Sequence, residues 1–580
     1  MDDQTQDQAL QKFLLLSTDV LRSTASHAVA LLSAYPLPAL FSSLRARAVA
    51  GDEAGASLRA SALSRLLADP ATVACLDGSV CALLIEAFSA PALAVRLLPA
   101  RLLHALCRGA LPWPAGMPRG ALAAGGGALL GALVDGVADA EPSIAEVCGD
   151  AVVALAAGAP TGEELVVLTR ALCRLHRSEP VRDDTSVMLR VLGVAARVAG
   201  TSDAACAALG AGEGGSALGD LLAACGDEGD PLLQLNSLEQ VGFLGGSEGG
   251  LRVVSDSTLM ELLFLWGTGE CAEGEGAAER DVILAGAALD ALAALYAAAV
   301  KGGGGGGGGG GGEPAPRAAA LRARLLPALL RTLAGTCRDA AADVQATCAT
   351  LRALLTVTAA DPAPLLGALL SQAATSPPPA QALRQWFELC ESSDAELRAA
   401  ALGALAALLR VGGGGGGGAA PLLLRVFTFL SVACRGGAPP ADLAEGLFAS
   451  VAVVAGALGR RVPPLGVQAE SEGAPHLARW AAYNVLEALC ALPDAEGARA
   501  VFSTPGLGAA LLAEGGEASL RGRAHAQAVV AAALGNPAVE ALGPEFSARL
   551  RESAAASRGE GQVARAAARE VGVAVAEKAS

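Results

Sequence analysis

The residues best spaced for chemistry are Gly245-Gly246-Ser247-Glu248-Gly249, which fit the G-x-S-x-G pattern of a serine nucleophile elbow. Such an elbow needs a strand before the serine, a helix after it, and an acid and a histidine further along the chain. Here Leu238, Val241 and Leu244 space themselves as one face of a helix, and Gly245-Gly246 read as its stop. Of the five histidines, only His476 and His525 follow Ser247 as potential bases. Ser247 is therefore expected in a turn between helices, and a hydrolase is the weaker reading.

Two i,i+3 pairs, His104 with Cys107 and Cys173 with His176, could each place metal ligands on one helix face. A structural zinc site takes four ligands, and these pairs lie about 70 residues apart, so they read as helix residues and no metal is expected. A phosphate loop needs Gly-Lys followed by Ser or Thr. None of the three lysines fits, and Lys301 precedes its glycines. Gly125-Gly126-Gly127 with Gly131 lacks the flanking strand of a dinucleotide fingerprint and reads as a loop. Carboxylates such as Glu391, Asp394 and Glu396 read as helix-face charges. No catalytic constellation, cofactor site or contact residue is assigned.

The elements that would have to position these residues are helical. Of the 580 residues, 53% are hydrophobic and 17% charged, a balance that excludes disorder throughout. Aromatics are only 3%, and the apolar mass is Ala, Leu and Val, with Ala and Leu leading the scale of helix formers. Strand formers such as Ile, Thr, Tyr and Phe are sparse. The chain is also too long for one compact core, which leaves several domains or one array of repeats.

A repeat is visible. An Asp is followed 8, 11 and 14 positions later by apolar residues, the spacing of one helix face. Asp184 leads to Leu192, Ala195 and Val198; Asp230 to Leu238, Val241 and Leu244; Asp281 to Leu289, Leu292 and Leu295. Asp343 leads to Leu351, Leu354 and Val357, and Asp394 to Leu402, Leu405 and Leu408. Leu486, Leu489 and Leu492 form a related stripe without the Asp. An Asp in that place is a favoured N-cap, and in Asp230-Pro231 the proline falls where its missing N–H costs nothing. The intervals between these aspartates are 46, 51, 62 and 51 residues. The long one contains the eleven glycines Gly302–Gly312, without which it too is 51. Units of two or three helices at this length define the armadillo/HEAT class. The expected fold is thus all-α, a single helical-repeat solenoid over residues 1–580, with flexible insertions at 302–312, 412–418 and 461–475. Further breaks are expected at Pro112–Gly120, Gly210–Gly215, Gly269–Gly276 and Pro377–Pro379.

Charge and cysteine use narrow the partner. A formal charge of −16 argues against nucleic acid, which wants a basic face and aromatic stacking platforms. Only Lys12, Lys301 and Lys578 stand against 39 arginines, a bias that with the Ala and Gly excess points to coding composition and discounts the apolar mean hydropathy as a membrane signal. The long charge-free stretches, Gly120–Val134 and Gly446–Gly459, fall short of the roughly 20 residues of a bilayer span. Met1-Asp2-Asp3-Gln4 lacks the basic start of a secretion signal, and the thirteen scattered cysteines contain no CxxC pair. A soluble chain of the cytoplasm, or of cytoplasm and nucleus, with reduced cysteines is expected.

Several segments, in chain order, resemble the family of 26S proteasome non-ATPase regulatory subunit 5. They are Leu37-Pro38-Ala39-Leu40-Phe41-Ser42-Ser43-Leu44 with Ala62-Leu63-Ser64-Arg65-Leu66-Leu67; Gly229-Asp230-Pro231-Leu232 through Ser237-Leu238-Glu239-Gln240-Val241 to Gly249-Gly250-Leu251; and His476-Leu477-Ala478-Arg479, Val485-Leu486-Glu487-Ala488-Leu489 and Val501-Phe502-Ser503-Thr504-Pro505-Gly506-Leu507, continuing to Ala531, Leu534, Gly535 and Asn536. The glycine runs and Leu111–Gly158 depart from the family's pattern. The resemblance implies an armadillo-type chaperone, without catalysis, for assembly of the base of the proteasome regulatory particle. Its partner would be an AAA-type ATPase subunit, held through that subunit's C-terminal region. The alternative is an armadillo/HEAT adaptor for another protein client, such as transport cargo or a cytoskeletal protein.

Overall fold

The computed structural model describes residues 3–18, 31–74, 78–115, 119–122, 127–158, 162–210, 216–269, 281–302, 316–336, 344–360, 394–414, 474–492, 496–504, 507–512, 520–536 and 543–552, with a few isolated positions between. Among the described residues there is no strand. The fold is all-α, an armadillo/HEAT-like array of paired helices, and the chain divides into two compact units, Met1–Met260 with Lys301–Arg317, and Glu261–Val300 with Ala318–Ser580.

In the first unit the helices form two rows. One row holds α2 (Leu37–Val49), α4 (Gly78–Phe88), α6 (Ala128–Asp135), α8 (Gly162–His176), α10 (Asp203–Gly210) and α13 (Glu248–Ser255), each packed on the next. The other holds α1 (Asp3–Thr18), α3 (Glu53–Leu66), α5 (Leu93–Cys107), α7 (Pro142–Ala157), α9 (Thr185–Ala199) and α12 (Pro231–Val241), likewise in order. Between α10 and α12 lies α11 (Ala217–Cys225), which packs on both and on α9.

The starts of these helices are set locally. Asp184 accepts hydrogen bonds from the backbone N–H groups of Ser186 and Val187, and Asp230 from that of Leu233, with Pro231 in the first turn as expected. The same device recurs where the repeat template did not reach, with Asp52 accepting from Gly55 N and Asp69 from Thr72 N. The predicted stripes face inward. Leu192, Ala195, Val198, Leu238, Val241 and Leu244 are all at most 1% exposed. Each stripe has no apolar partner within its own helix, so the hydrophobic effect is satisfied only by stacking one repeat on the next.

Polar bonds pin the stacking at a constant offset. Arg96 reaches Asp139 at 3.1 Å, Arg197 reaches Asp150 at 2.6 Å, and the Ser247 hydroxyl donates to the Ala199 carbonyl at 2.9 Å. The Gly249 N–H donates to Asp203 at 2.6 Å. Each bond spans 43 to 48 residues, one repeat length. Close backbone approach fixes one of these steps, because a Cβ on Gly200 would sit 2.1 Å from the Phe243 carbonyl oxygen.

The second unit begins within α14 (Leu259–Thr268). It contains most of α15 (Val282–Gly302) and of α16 (Pro316–Thr336), with α17 (Val344–Ala360), α18 (Ala395–Gly414), α19 (Ala474–Cys490), α20 (Glu496–Ser503), α21 (Leu507–Leu512) and α22 (Leu520–Gly535). Asp281 caps α15 through Ile283 N and Leu284 N, and Asp394 caps α18 through Glu396 N and Leu397 N, as the template predicts; Asp343 lies outside the described residues. The stripes Leu289/Leu292/Leu295, Leu351/Leu354/Val357, Leu402/Leu405 and Leu486/Leu489/Leu492 are buried, whereas the side chain of Leu408 lies outside the described residues. α17 packs on α18, α18 on α19 and α19 on α22, with Asn536 donating to the carbonyls of Cys490 and Leu492 from the following repeat.

The expected insertions fall mostly on positions 303–312, 415–418 and 461–473, outside the described residues. Their edges differ from expectation. Gly302 still belongs to α15, Gly412–Gly414 to α18, and Ala474 and Pro475 open α19. Helices run on into the glycines because the preceding turn already supplies their hydrogen-bond acceptors. Of the other breaks, 116–118, 211–215, 270–276 and 377–379 lie outside the described residues; Arg119 and Gly120 open a short 3-10 helix and Gly210 still closes α10. The region Val282–Lys301 is also longer and more apolar than the short stretches anticipated, enough by length and composition to cross a membrane. More than half of it is buried against its neighbours, and its one acid, Asp290, pairs with Arg352 at 3.4 Å.

Candidate interaction groove

The residues that the sequence offers for chemistry are placed in helical scaffolding. Ser247 is 8% exposed and caps α13, and its oxygen accepts from Gly250 N at 3.0 Å while its hydroxyl donates to Ala199 O. The segment before it is a 3-10 turn, Gly242–Gly246, that continues α12. One of these bonds caps the serine's own helix and the other ties it to the preceding repeat, so where the sequence suggests a turn the residue is a helix cap.

His104 and Cys107 occupy the last turn of α5, and Cys173 and His176 the last turn of α8. His176 is buried, its Nε2 lying 2.7 Å from Asp220. Burial pushes the Cys107 thiol up to about 12 despite the nearby Arg119 charge, and raises that of Cys173 as well. Among the described residues no three His, Cys, Asp or Glu side chains gather to hold a metal ion. Gly127 takes φ +73° where it leads into α6, a place a side chain would fill poorly, and Lys301 closes α15. The carboxylate of Asp394 serves as a cap, Glu396 is exposed, and Glu391 lies outside the described residues.

What the first unit does offer is an open groove of about 640 Å³ on the row α1–α3–α5. Two helix faces form it. Ala60, Ser61, Ser64, Arg65 and Ala68 recur at helical spacing along α3 and just beyond its end, and Ala94, Leu97, Leu98, Arg101, Leu102 and Ala105 do so along α5. Leu14 of α1 adds to the lining. Small residues on α3 leave the valley open, and the leucines of α5 supply an apolar floor. Arg65 and Arg101 are exposed, and neither has an ion-pair or hydrogen-bond partner among the described residues. No acidic side chain lines the groove.

Nearby, in contrast, a cation is fully used. Arg59 of α3 is 0% exposed and holds α1 and α2 to α3. It pairs with Asp7 at 2.7 Å and donates to the Ser43 hydroxyl at 2.7 Å, the Gly55 carbonyl at 3.0 Å and the Gln6 side-chain oxygen at 3.3 Å. A buried guanidinium tolerates removal from water only with such a full set of partners. Ser64-Arg65 falls within a segment that resembles the regulatory subunit 5 family, but nothing in its local spacing marks a groove. The groove was hidden because it needs α3 and α5 side by side, 36 residues from Arg65 to Arg101.

Compared by sequence, the chain matches no protein-family model, and no curated protein matches it. Among solved structures, its coordinates are similar to Kap95p in a structure concerned with Kap95p binding to RanGDP, with 10% identity over 92% of this chain and 63% of that one and a TM-score of 0.41. They are similar to the karyopherin Kap121p bound to the extreme C-terminus of the protein phosphatase Cdc14p, with 11% identity over 95% and 51% and a TM-score of 0.36. An engineered protein is 15% identical over 85% and 98%, with a TM-score of 0.30. The chain thus spans between half and two thirds of these two karyopherin chains. At such identities and superpositions none of them carries a statement about what this chain binds.

Proposed function

We propose that the chain is a non-enzymatic protein-binding scaffold, and within that class a chaperone for assembly of the base of the 26S proteasome regulatory particle. It would hold an AAA-type ATPase subunit through that subunit's C-terminal region. The broader reading is supported by one observation above the rest: repeat upon repeat of buried leucine stripes builds an extended surface with an open apolar groove. The residue closest to a nucleophile motif meanwhile serves as a helix cap. The finer reading is supported by the ordered resemblance of the segments from Leu37 to Asn536 to the regulatory subunit 5 family. An acidic scaffold of charge −16 would also favour a client with basic segments, through encounter rate and selectivity more than affinity. Cytoplasmic location, with or without a nuclear pool, belongs to the same proposal.

Affinity capture of the full chain from a cell extract, read by mass spectrometry, tests it. The expected result is recovery of regulatory-particle ATPase subunits without the proteolytic core. Protein clients of another kind, transport cargo or cytoskeletal, would leave the scaffold reading and remove the chaperone. A serine-directed activity probe that labels the wild type but not Ser247→Ala would remove both.

A further inference from the structure

We propose that the groove between α3 and α5 is a docking site for a partner segment carrying carboxylates beside aliphatic side chains, an inference that rests on the protein-binding reading above. The chemistry of the walls selects that occupant. The floor is leucine and alanine, and Leu97 within it is only partly buried, so apolar side chains gain by covering it. Above the floor stand Arg65 and Arg101, one on each helix.

Arg108, Arg170, Arg182 and Arg252 share this lack of a side-chain partner among the described residues, but Arg65 and Arg101 are the pair that line one apolar groove, while several other arginines of this unit are matched. Arg45 pairs with Glu86, Arg96 with Asp139, Arg119 with Glu164, Arg174 with Asp135 and Arg197 with Asp150. Across the chain carboxylates outnumber cations, 58 to 42, yet none lines this groove. Two unpaired guanidiniums over an apolar floor make a local positive site on an acidic protein. Guanidinium also presents the forked donors that carboxylates accept. Nucleic acid fits less well, since it would find two cations and no aromatic side chain for stacking in the lining. A second copy of this chain would bring a charge of −16 against its own, which opposes self-association.

The probe is a fluorescein-labelled twelve-residue peptide mixing leucine with aspartate and glutamate, alongside its twin with asparagine and glutamine in place of the acids. Both are titrated into the full chain by fluorescence polarisation. The acidic peptide is expected to bind about tenfold more tightly than the twin, with the preference shrinking as salt rises. In the double variant Arg65→Gln, Arg101→Gln the preference should vanish. Both side chains are exposed, so the helical signal in circular dichroism should be unchanged. A floor variant without added charge, Leu97→Asn, should weaken both peptides alike.

Equal binding of the two peptides to the wild type, no binding of either, or a preference that survives the arginine substitutions would each overturn the proposal. So would a wild-type dimer that the double variant converts to monomer, which gives the groove to a second copy, or displacement of the peptide by a tighter-binding single-stranded oligonucleotide. Affinity capture separates this failure from failure of the broader reading. If wild type and double variant retain the same protein clients, the groove assignment falls and the scaffold stands; if the wild type retains none, the scaffold falls too.

Discussion

Two kinds of residue carry most of the physical information at the smallest scale. The buried thiols are one. Burial pushes Cys107, Cys148 and Cys225 up to about 12 and Cys490 higher still. The unfolded chain ionises these groups near their ordinary value of 9, where the folded chain keeps them protonated. Their contribution to stability is therefore fully present below about pH 9 and is lost as pH rises from there toward 12. Urea titrations at pH 7, 9 and 10 should show falling midpoints above pH 9. Iodoacetamide at pH 8 should leave Cys148, Cys225 and Cys490 unmodified until denaturant is added. The other is Arg59. Removing its carboxylate by Asp7→Ala leaves a buried cation held by neutral acceptors alone, and should cost roughly 2 to 3 kcal/mol in the same titration. The sequence does not reveal this pair, because nothing in Gln6, Asp7, Ser43 and Arg59 announces that three helices meet there. Nor does it mark Arg65 and Arg101, which look like any exposed helix-face charge until their two faces are set side by side.

At the scale of the helix the sequence is far more legible. Period and cap are both local properties, so Asp184, Asp230, Asp281 and Asp394 and the stripes they introduce read out as helix starts and buried faces. Ser247 shows where such reading stops. A G-x-S-x-G spacing says nothing of the Ala199 carbonyl one repeat away, which turns the serine into a staple between repeats. The break at Gly245-Gly246 is likewise a 3-10 turn that lowers the chain against Gly200, where a Cβ would meet backbone that cannot yield. Two substitutions therefore differ in kind. Asp184→Ala or Asp230→Ala removes a cap and should cost about 1 kcal/mol, whereas Gly200→Ala forces two repeats apart and should cost more than either cap, as measured by thermal unfolding.

At the largest scale burial governs. Helices striped with leucine cannot hide that stripe alone, and stacking them consumes the apolar faces in order, leaving a surface made of helix edges and valleys. In the first unit that surface keeps one valley apolar and positively rimmed. Hydrogen exchange of the full chain, alone and in the complex captured with its client, tests this most directly. The amides of α7, α9 and α12 should exchange slowly even in the free chain, and the client should add protection along α3 and α5. Contradiction would take the form of those row helices exchanging as fast as exposed chain ends, or of a client that leaves exchange in α3 and α5 untouched.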